Sequence, residues 1–209
     1  MTAKIGIIGE HKPGEGRIPL TPGQIQKLHT DNPELSITVQ PSNQRKFHDS
    51  EFTSLKIDLS PDLKEANLVM AVKEIAVKDI HSDQAFLFFS HTIKGQDYNM
   101  AMLRHILDVK ATLLDYELIS DENDRRLVFF GRHAGLAGMV NSLWSYGERQ
   151  KVLGLENPFM QIKQAQDYKD LEEIKSSLTN LAPEITSWLT GKPAVVVGIT
   201  GYGNVAKGA

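Results

Sequence analysis

Short apolar runs alternate along the chain with stretches whose apolar residues recur every three or four positions. The short runs are typical of buried strands, and the longer spacing is typical of helices that pack one face on a core. The pattern predicts strands over residues 4–9, 36–40, 67–72, 85–90, 111–116, 127–130 and 194–200.

Two pairs of residues, Thr21-Pro22 and Ser60-Pro61, each place a capping hydroxyl before a proline at the first helical position, which predicts a helix start. Residues 134–153 read as a long helix that begins with the small residues AGLAG, which permit close approach of another backbone. The remaining predicted helices cover residues 96–109 and 168–181, with another turn or two at 183–189.

Alternating strands and helices predict an α/β fold with an open, mostly parallel sheet and helices on both faces, a Rossmann-like domain. In such sheets ligands bind beyond the carboxyl ends of the strands. The residues that directly follow each predicted strand are therefore the first candidates for a functional site.

Ionisable residues follow four of these strands. A charged, glycine-rich loop that contains Arg17 follows the first strand, Lys73 and Glu74 follow the run LVMAV, His91 follows FLFFS, and Glu117 follows the strand at 111–116. Burial lowers the pKa of a lysine or histidine, and neighbouring carboxylates raise it. A lysine and a histidine at such positions suit general acid and base catalysis near neutral pH.

Composition removes several classes of function. The net charge of −3 argues against a sequence-independent nucleic-acid binder, and no apolar run reaches the length of a membrane-spanning helix. There is no cysteine, no metal-binding histidine spacing and no GxSxG motif, so we expect no metal site and no serine hydrolase. Without a recognisable export signal, a cytoplasmic location is the expectation.

The motif GYGNVA at residues 201–206 follows the predicted strand at 194–200 and fits the G-x-G-x-x-A dinucleotide pattern. Gly201 would allow the tight turn, and Gly203, Asn204 and Val205 would lie next to a pyrophosphate. The cofactor would be NAD or NADP, and the residue that chooses between them lies beyond Ala209 in this pattern.

Several segments resemble the alanine dehydrogenase, transhydrogenase and saccharopine dehydrogenase superfamily. GEHKPGEGRIPLTP (9–22) resembles its N-terminal signature, and VKEI (72–75) resembles the segment with its substrate-site lysine. Three further segments are closer to the saccharopine dehydrogenase and lysine–2-oxoglutarate reductase branch: FSHTIKGQDYNMAML (89–103), LLDYELI (113–119) and RRLVFFGRHAGLAGM (125–139).

The resemblance implies an NAD(P)-dependent oxidoreductase that condenses lysine with 2-oxoglutarate and reduces the imine, or runs the reverse reaction. Lys73 and His91 would be the acid/base pair, and Arg17 would hold a substrate carboxylate. Glu74 would tune the charge of the lysine, and Glu117 would lie near the substrate amine. The implied partners are small molecules, an amino acid and a keto acid, and the resemblance leaves a homodimer open.

Residues 1–190 are expected to form the substrate-binding domain, and residues 191–209 the truncated start of the nucleotide-binding domain. Such a chain would be one part of the active enzyme and inactive alone, and its strand at 194–200 would fray or borrow a partner strand. Two alternatives remain open. They are an alanine dehydrogenase-like enzyme acting on a smaller keto acid, and a non-catalytic ligand-binding module of the same fold.

Overall fold

A computed structural model describes residues 3–209, which form two compact units. The first unit ends at Val128, and the second spans Phe129–Ala209. The first contains the sheet and the residues predicted to do acid/base chemistry, and the second contains the two longest helices and the glycine motif.

Within the described residues, six strands form one sheet in the order β3-β2-β1-β4-β5-β6, and every neighbouring pair is parallel. The strands are β1 (Lys4–Ile7), β2 (Ser36–Val39), β3 (Asp58–Leu59), β4 (Leu68–Met70), β5 (Ala85–Phe88) and β6 (Thr112–Asp115). The helices are α1 (Pro22–Asp31), α2 (Asp49–Ser54), α3 (Asp97–Asp108), α4 (Gly131–Val152), α5 (Leu171–Leu189) and α6 (Asn204–Gly208). Single 3₁₀ turns lie at Val77–Asp79, Tyr116–Leu118, Pro158–Gln161 and Ala165–Asp167.

One face of the sheet packs against α3. Paired residues in a parallel ladder share a face, so Gly6, Val69 and Phe86 form one row across β1, β4 and β5. Val69 and Phe86 belong to a buried cluster with Met102 and Ile106 of α3.

The opposite face packs against α1 and α2. Ile7 and Val39 are partners one position further along β1 and β2, and they pack with Ile25 of α1 and Phe52 of α2. The open parallel sheet with helices on both faces is therefore confirmed. The Thr21 cap is also confirmed, since its hydroxyl accepts a hydrogen bond from the Gln24 N–H.

The helix predicted after Ser60-Pro61 is wrong. The Ser60 hydroxyl accepts a hydrogen bond from the Asp62 N–H, and the Asp62 carboxylate accepts one from the Lys64 N–H. These local bonds give the backbone an alternative to the helical pattern, so the chain makes bends and turns instead.

The strand predicted over 127–130 is also wrong. The Leu127 N–H donates to the Ile119 carbonyl, and Ser120 forms an isolated antiparallel bridge with Arg126. The segment therefore returns alongside the 3₁₀ turn that follows β6, and it does not extend the sheet.

In the second unit, α5 is one continuous helix through Pro183 instead of the two pieces predicted. A proline inside a helix removes a backbone hydrogen bond. The helix continues because Leu178 and Leu181 before the proline, and Ile185 and Trp188 after it, pack into the same cluster.

Residues 194–200 form no strand in the described structure, and Val196 is 87% exposed. The small residues at the start of α4 do permit close backbone approach: a Cβ on Gly135 would lie 2.0 Å from the Val205 carbonyl oxygen of α6. Across residues 3–209, none of the helices combines the length and hydropathy needed to cross a bilayer.

We predict that Phe86→Ala lowers the free energy of unfolding of the first unit by about 3–5 kcal/mol, because Phe86 is fully buried and its loss leaves a cavity. Leu107→Ala on α3 is the control, since Leu107 is 68% exposed and should cost about 0.5 kcal/mol or less. Urea unfolding should be followed by circular dichroism and by hydrogen exchange of the strand amides. Both tryptophans, Trp144 and Trp188, lie in the second unit and do not report directly on the sheet. Equal losses in the two variants would contradict the packing described.

Candidate active site at the carboxyl edge of the sheet

The loops after β1, β4, β5 and β6 carry the predicted acid/base and substrate-binding residues. These four strands are consecutive neighbours in the sheet, and because all are parallel, their carboxyl ends meet at one edge. Hydrogen bonds connect these loops from one strand to the next.

Glu10, after β1, clamps the backbone of Lys73, after β4. Its Oε1 accepts a hydrogen bond from the Val72 N–H at 2.6 Å, and its Oε2 accepts one from the Lys73 N–H at 3.0 Å. Burial raises the pKa of Glu10 above its ordinary value, although these two hydrogen bonds oppose the rise. The clamp fixes the turn from which the half-buried Lys73 side chain projects.

His91, after β5, is paired with Glu74, after β4. The distance from His91 Nδ1 to Glu74 Oε1 is 2.7 Å, and both side chains are mostly buried. Burial raises the pKa of Glu74, but hydrogen bonds from its own N–H, His91 and Asn99 outweigh burial and hold the pKa below its usual value. An ionised Glu74 accepts a hydrogen bond from the Nδ1–H of His91, which leaves Nε2 as the ring nitrogen for proton transfer.

Arg17 is held by Glu15 of its own loop. Glu15 Oε1 accepts from Arg17 Nε at 2.7 Å, and Oε2 accepts from Nη2 at 2.6 Å. Burial raises the pKa of Glu15, but the hydrogen bonds and charge of Arg17 outweigh it, and the charge of Lys73 also lowers this pKa. Lys73 and Arg17 therefore act on the same carboxylate, and the guanidinium is oriented before any ligand binds.

Glu117, after β6, forms an ion pair with Arg126 at 3.2 Å. The Arg126 guanidinium also lies 5.4 Å from the ring centre of Phe89, which is stacked next to His91. Burial, followed by the charge of Glu10, raises the pKa of Tyr116 to about 12, so this phenol is neutral near pH 7.

Sequence reasoning missed several polar residues of this edge: Glu10, Glu15, Asn99 and Arg126. The charged loop GEHKPGEGR contains two of them, but its composition does not show which carboxylate binds backbone and which binds Arg17. Asn99 lies on α3, and Arg126 lies in the segment that runs back alongside Ile119 and Ser120. A search restricted to strand ends could not find either residue.

The residues predicted to bind a dinucleotide lie in the second unit. Gly203, Asn204 and Val205 line a cavity of about 520 Å³ together with Gly131 and Gly135 of α4. Gly201 is not among the lining residues, although its φ of +88° is the left-handed turn expected of it.

The carboxyl edge thus combines half-buried cations with carboxylates that hold them in fixed positions. Such an arrangement can bind a zwitterionic ligand and move protons through a lysine and a histidine. Among residues 3–209, no cluster of three or more histidine and acidic side chains has the arrangement of a metal site.

We predict that Glu15→Gln flattens the acid limb of the stability profile. The pKa of Glu15 is lower in the folded protein, so the ionised carboxylate stabilises the fold above the unfolded value of about 4.3, and this stability is lost as pH falls through the folded pKa. The free energy of unfolding, measured between about pH 6 and pH 3, should therefore fall less in Glu15→Gln than in the wild type. Glu122→Gln, in an exposed turn, is the control. Identical acid limbs in Glu15→Gln and the wild type would refute this linkage.

Curated relatives share sequence along most of the chain. Alpha-aminoadipic semialdehyde synthase of Arabidopsis thaliana is 36% identical in an alignment of 214 positions that covers 98% of this chain and 20% of the relative. The mitochondrial synthase of Rattus norvegicus is 37% identical over 93% of this chain and 21% of its own length. Saccharopine dehydrogenase [NAD(+), L-lysine-forming] of Schizosaccharomyces pombe is 32% identical over 66% of this chain and 39% of its length.

The chain spans about a fifth of the length of the two synthases that it matches. Among solved structures, an L-alanine dehydrogenase superimposes with a TM-score of 0.59 at 20% identity, covering 71% of this chain and 42% of that protein. A transhydrogenase from Sinorhizobium meliloti superimposes with a TM-score of 0.55 at 15% identity, over 71% of this chain and 44% of its own. These likenesses agree with the parallel sheet described above.

A family model assigns the first unit directly. The model of the alanine dehydrogenase/PNT N-terminal domain matches residues 6–137, a range that includes every strand after the first two residues of β1 and every residue of the carboxyl edge. The chain therefore belongs to the alanine dehydrogenase/PNT N-terminal domain family.

Proposed function

We propose that this chain is the substrate-binding part of an NAD(P)-dependent saccharopine dehydrogenase-type oxidoreductase. The reaction is the reductive condensation of lysine with 2-oxoglutarate, or its reverse. The observation that carries the proposal is the His91–Glu74 pair beside the Glu10 clamp on Lys73, which holds a lysine and a histidine on neighbouring strand ends.

The charges of the edge suit both substrates. A dicarboxylic keto acid needs cations, and Arg17 supplies a planar donor whose orientation Glu15 already fixes. The ammonium group of an amino acid needs carboxylates, and Glu74 and Glu117 supply them from the loops after β4 and β6.

Lys73 and His91 are proposed as the acid/base pair. When the ε-amine of lysine condenses with the keto group, the amine loses protons and the carbonyl oxygen leaves as water, so a base and an acid are both required. One of the two residues would handle these protons, and the other would set the protonation of the amine. Glu74 would keep the His91 ring oriented throughout.

Residues 191–209 are proposed as the start of the nucleotide-binding domain, after a substrate domain over residues 1–190. The glycine motif fits a dinucleotide, because Gly203 lines the 520 Å³ cavity and a Cβ placed on it meets no atom within 4 Å. NAD or NADP would supply the hydride that reduces the imine, or accept it in the reverse direction. A cytoplasmic location and a homodimer stay predictions.

The first test is ligand binding by the chain itself. We expect saccharopine, added to ¹⁵N-labelled protein, to shift the amide signals of the loops after β1, β4 and β5 more than alanine does. Arg17→Met should weaken this binding about tenfold, because a charge-assisted hydrogen bond to a carboxylate is lost. Arg104→Met, an exposed change on α3, is the control for the lost charge. A preference for alanine would favour the alanine dehydrogenase-like alternative, and strong binding of an unrelated ligand would favour a non-catalytic module.

The second test addresses turnover. This chain would replace the matching segment of the rat synthase, and NAD(P)H oxidation with lysine and 2-oxoglutarate would be compared with pyruvate and ammonia. Lys73→Met and His91→Ala should each lower turnover tenfold or more, because acid/base residues typically contribute about 10²–10⁴-fold to the rate. Lys78→Met, on the exposed turn Val77–Asp79, should leave turnover unchanged. Near-normal rates in both site variants would remove the pair from the mechanism.

A further inference from the structure

We propose that Asn99 is a positioning residue that holds His91 in a strained backbone conformation and fixes Glu74 against its ring. The inference rests on the proposed function for its catalytic meaning, but the geometry on which it stands is independent of any substrate.

The backbone of His91 is unusual. Its φ is +50°, in the left-handed region that a residue with a Cβ seldom adopts. A non-glycine residue in this region costs on the order of 1–3 kcal/mol of folding free energy, and it persists only where contacts with the surrounding structure hold it there. Histidine, like asparagine and aspartate, adopts this region more often than most residues with a Cβ, but it remains a minority conformation that surrounding contacts must select.

Asn99 contacts both sides of this strained residue. It lies in the first turn of α3, it is 5% exposed, and its Nδ2 donates to the Ser90 carbonyl at 2.9 Å. The same nitrogen lies 3.4 Å from the His91 carbonyl oxygen and 3.3 Å from Glu74 Oε1. One buried amide therefore joins the peptide groups next to His91 to the carboxylate that binds its ring.

The residue before His91 is fixed as well. Ser90 is fully buried, and its hydroxyl bonds to the Asp115 carboxylate of β6 and to the Thr92 hydroxyl. The Thr92 N–H donates back to the Ser90 hydroxyl at 3.3 Å. With residues 90 and 92 held in this way, Asn99 adds a second link between the turn and Glu74, beside the one made by the His91 ring.

One oxygen of Glu74 receives hydrogen bonds from two side chains. Glu74 Oε1 accepts from the His91 ring and from the Asn99 amide, so a change at Asn99 alters both the position of the carboxylate and its charge environment. Asn99 itself does not titrate, and the His91 ring is the titratable group that faces Glu74 from the loop after β5. A purely structural asparagine would stabilise the turn without affecting the titration of Glu74.

The experiment compares Asn99→Leu and Asn99→Ser with the wild-type chain by ¹³C NMR of the Glu74 carboxyl, assigned from its loss in Glu74→Gln. The pKa of Glu74 should rise in both variants, because a hydrogen bond that holds it down is removed. Asn157→Leu is the matched control: Asn157 is a buried asparagine of the second unit whose amide also donates to two backbone carbonyls, those of Gly147 and Leu155.

An unchanged Glu74 titration in a folded Asn99 variant would overturn the proposal. Unfolding of both Asn99 variants, under conditions in which Asn157→Leu remains folded, would assign Asn99 a structural role and would also overturn the proposal.

A kinetic experiment uses the chimera of the rat synthase. Asn99→Ser should lower kcat about tenfold with little change in KM, since a displaced His91 ring affects the chemical step more than substrate binding. A wild-type chain that does not bind saccharopine would count against the proposed function and leave the NMR result standing.

Discussion

Parallel pairing of β1, β4, β5 and β6 is the constraint on which the carboxyl edge depends. Parallel strands end together, so the peptide groups that follow them crowd together and need hydrogen-bond partners of their own. Glu10, Asn99 and Asp115 supply such partners: Glu10 binds the backbone after β4, Asn99 binds the backbone after β5, and Asp115 binds the Ser90 hydroxyl. The polar groups that complete the fold at this edge are thus the same groups that fix the candidate acid/base pair.

Much of the architecture could be predicted from the sequence, because buried parallel strands have a strong apolar signal and α1 has a clear cap. The errors have local physical causes. Side-chain hydrogen bonds of Ser60 and Asp62 replace the predicted helix, and packing on both sides of Pro183 carries α5 through a residue that usually ends a helix. The two-residue strand β3 and the six-residue helix α2 were missed because segments this short carry little periodic pattern.

In the candidate site, too, some features could be predicted from the sequence and others could not. Lys73, Glu74 and His91 follow apolar strands directly, so the sequence could place them at one edge. The pairing of Glu15 with Arg17 could not be read in this way, since a loop with several charges allows many pairings. The left-handed backbone of His91 also has no signature in the sequence, because the contacts that fix it come from Asn99 of α3 and Asp115 of β6.

The contact between Glu10 and Val72 joins residues that lie 62 positions apart in the chain. Contacts between distant positions form slowly, because the intervening chain must first lose much of its freedom. A partly folded chain in which β1 is paired only with β2 would therefore have half of the sheet and its helices, but Lys73 and His91 would not yet lie at one edge. Chemical competence of this edge would then arise late in folding, at the step in which β4 docks beside β1.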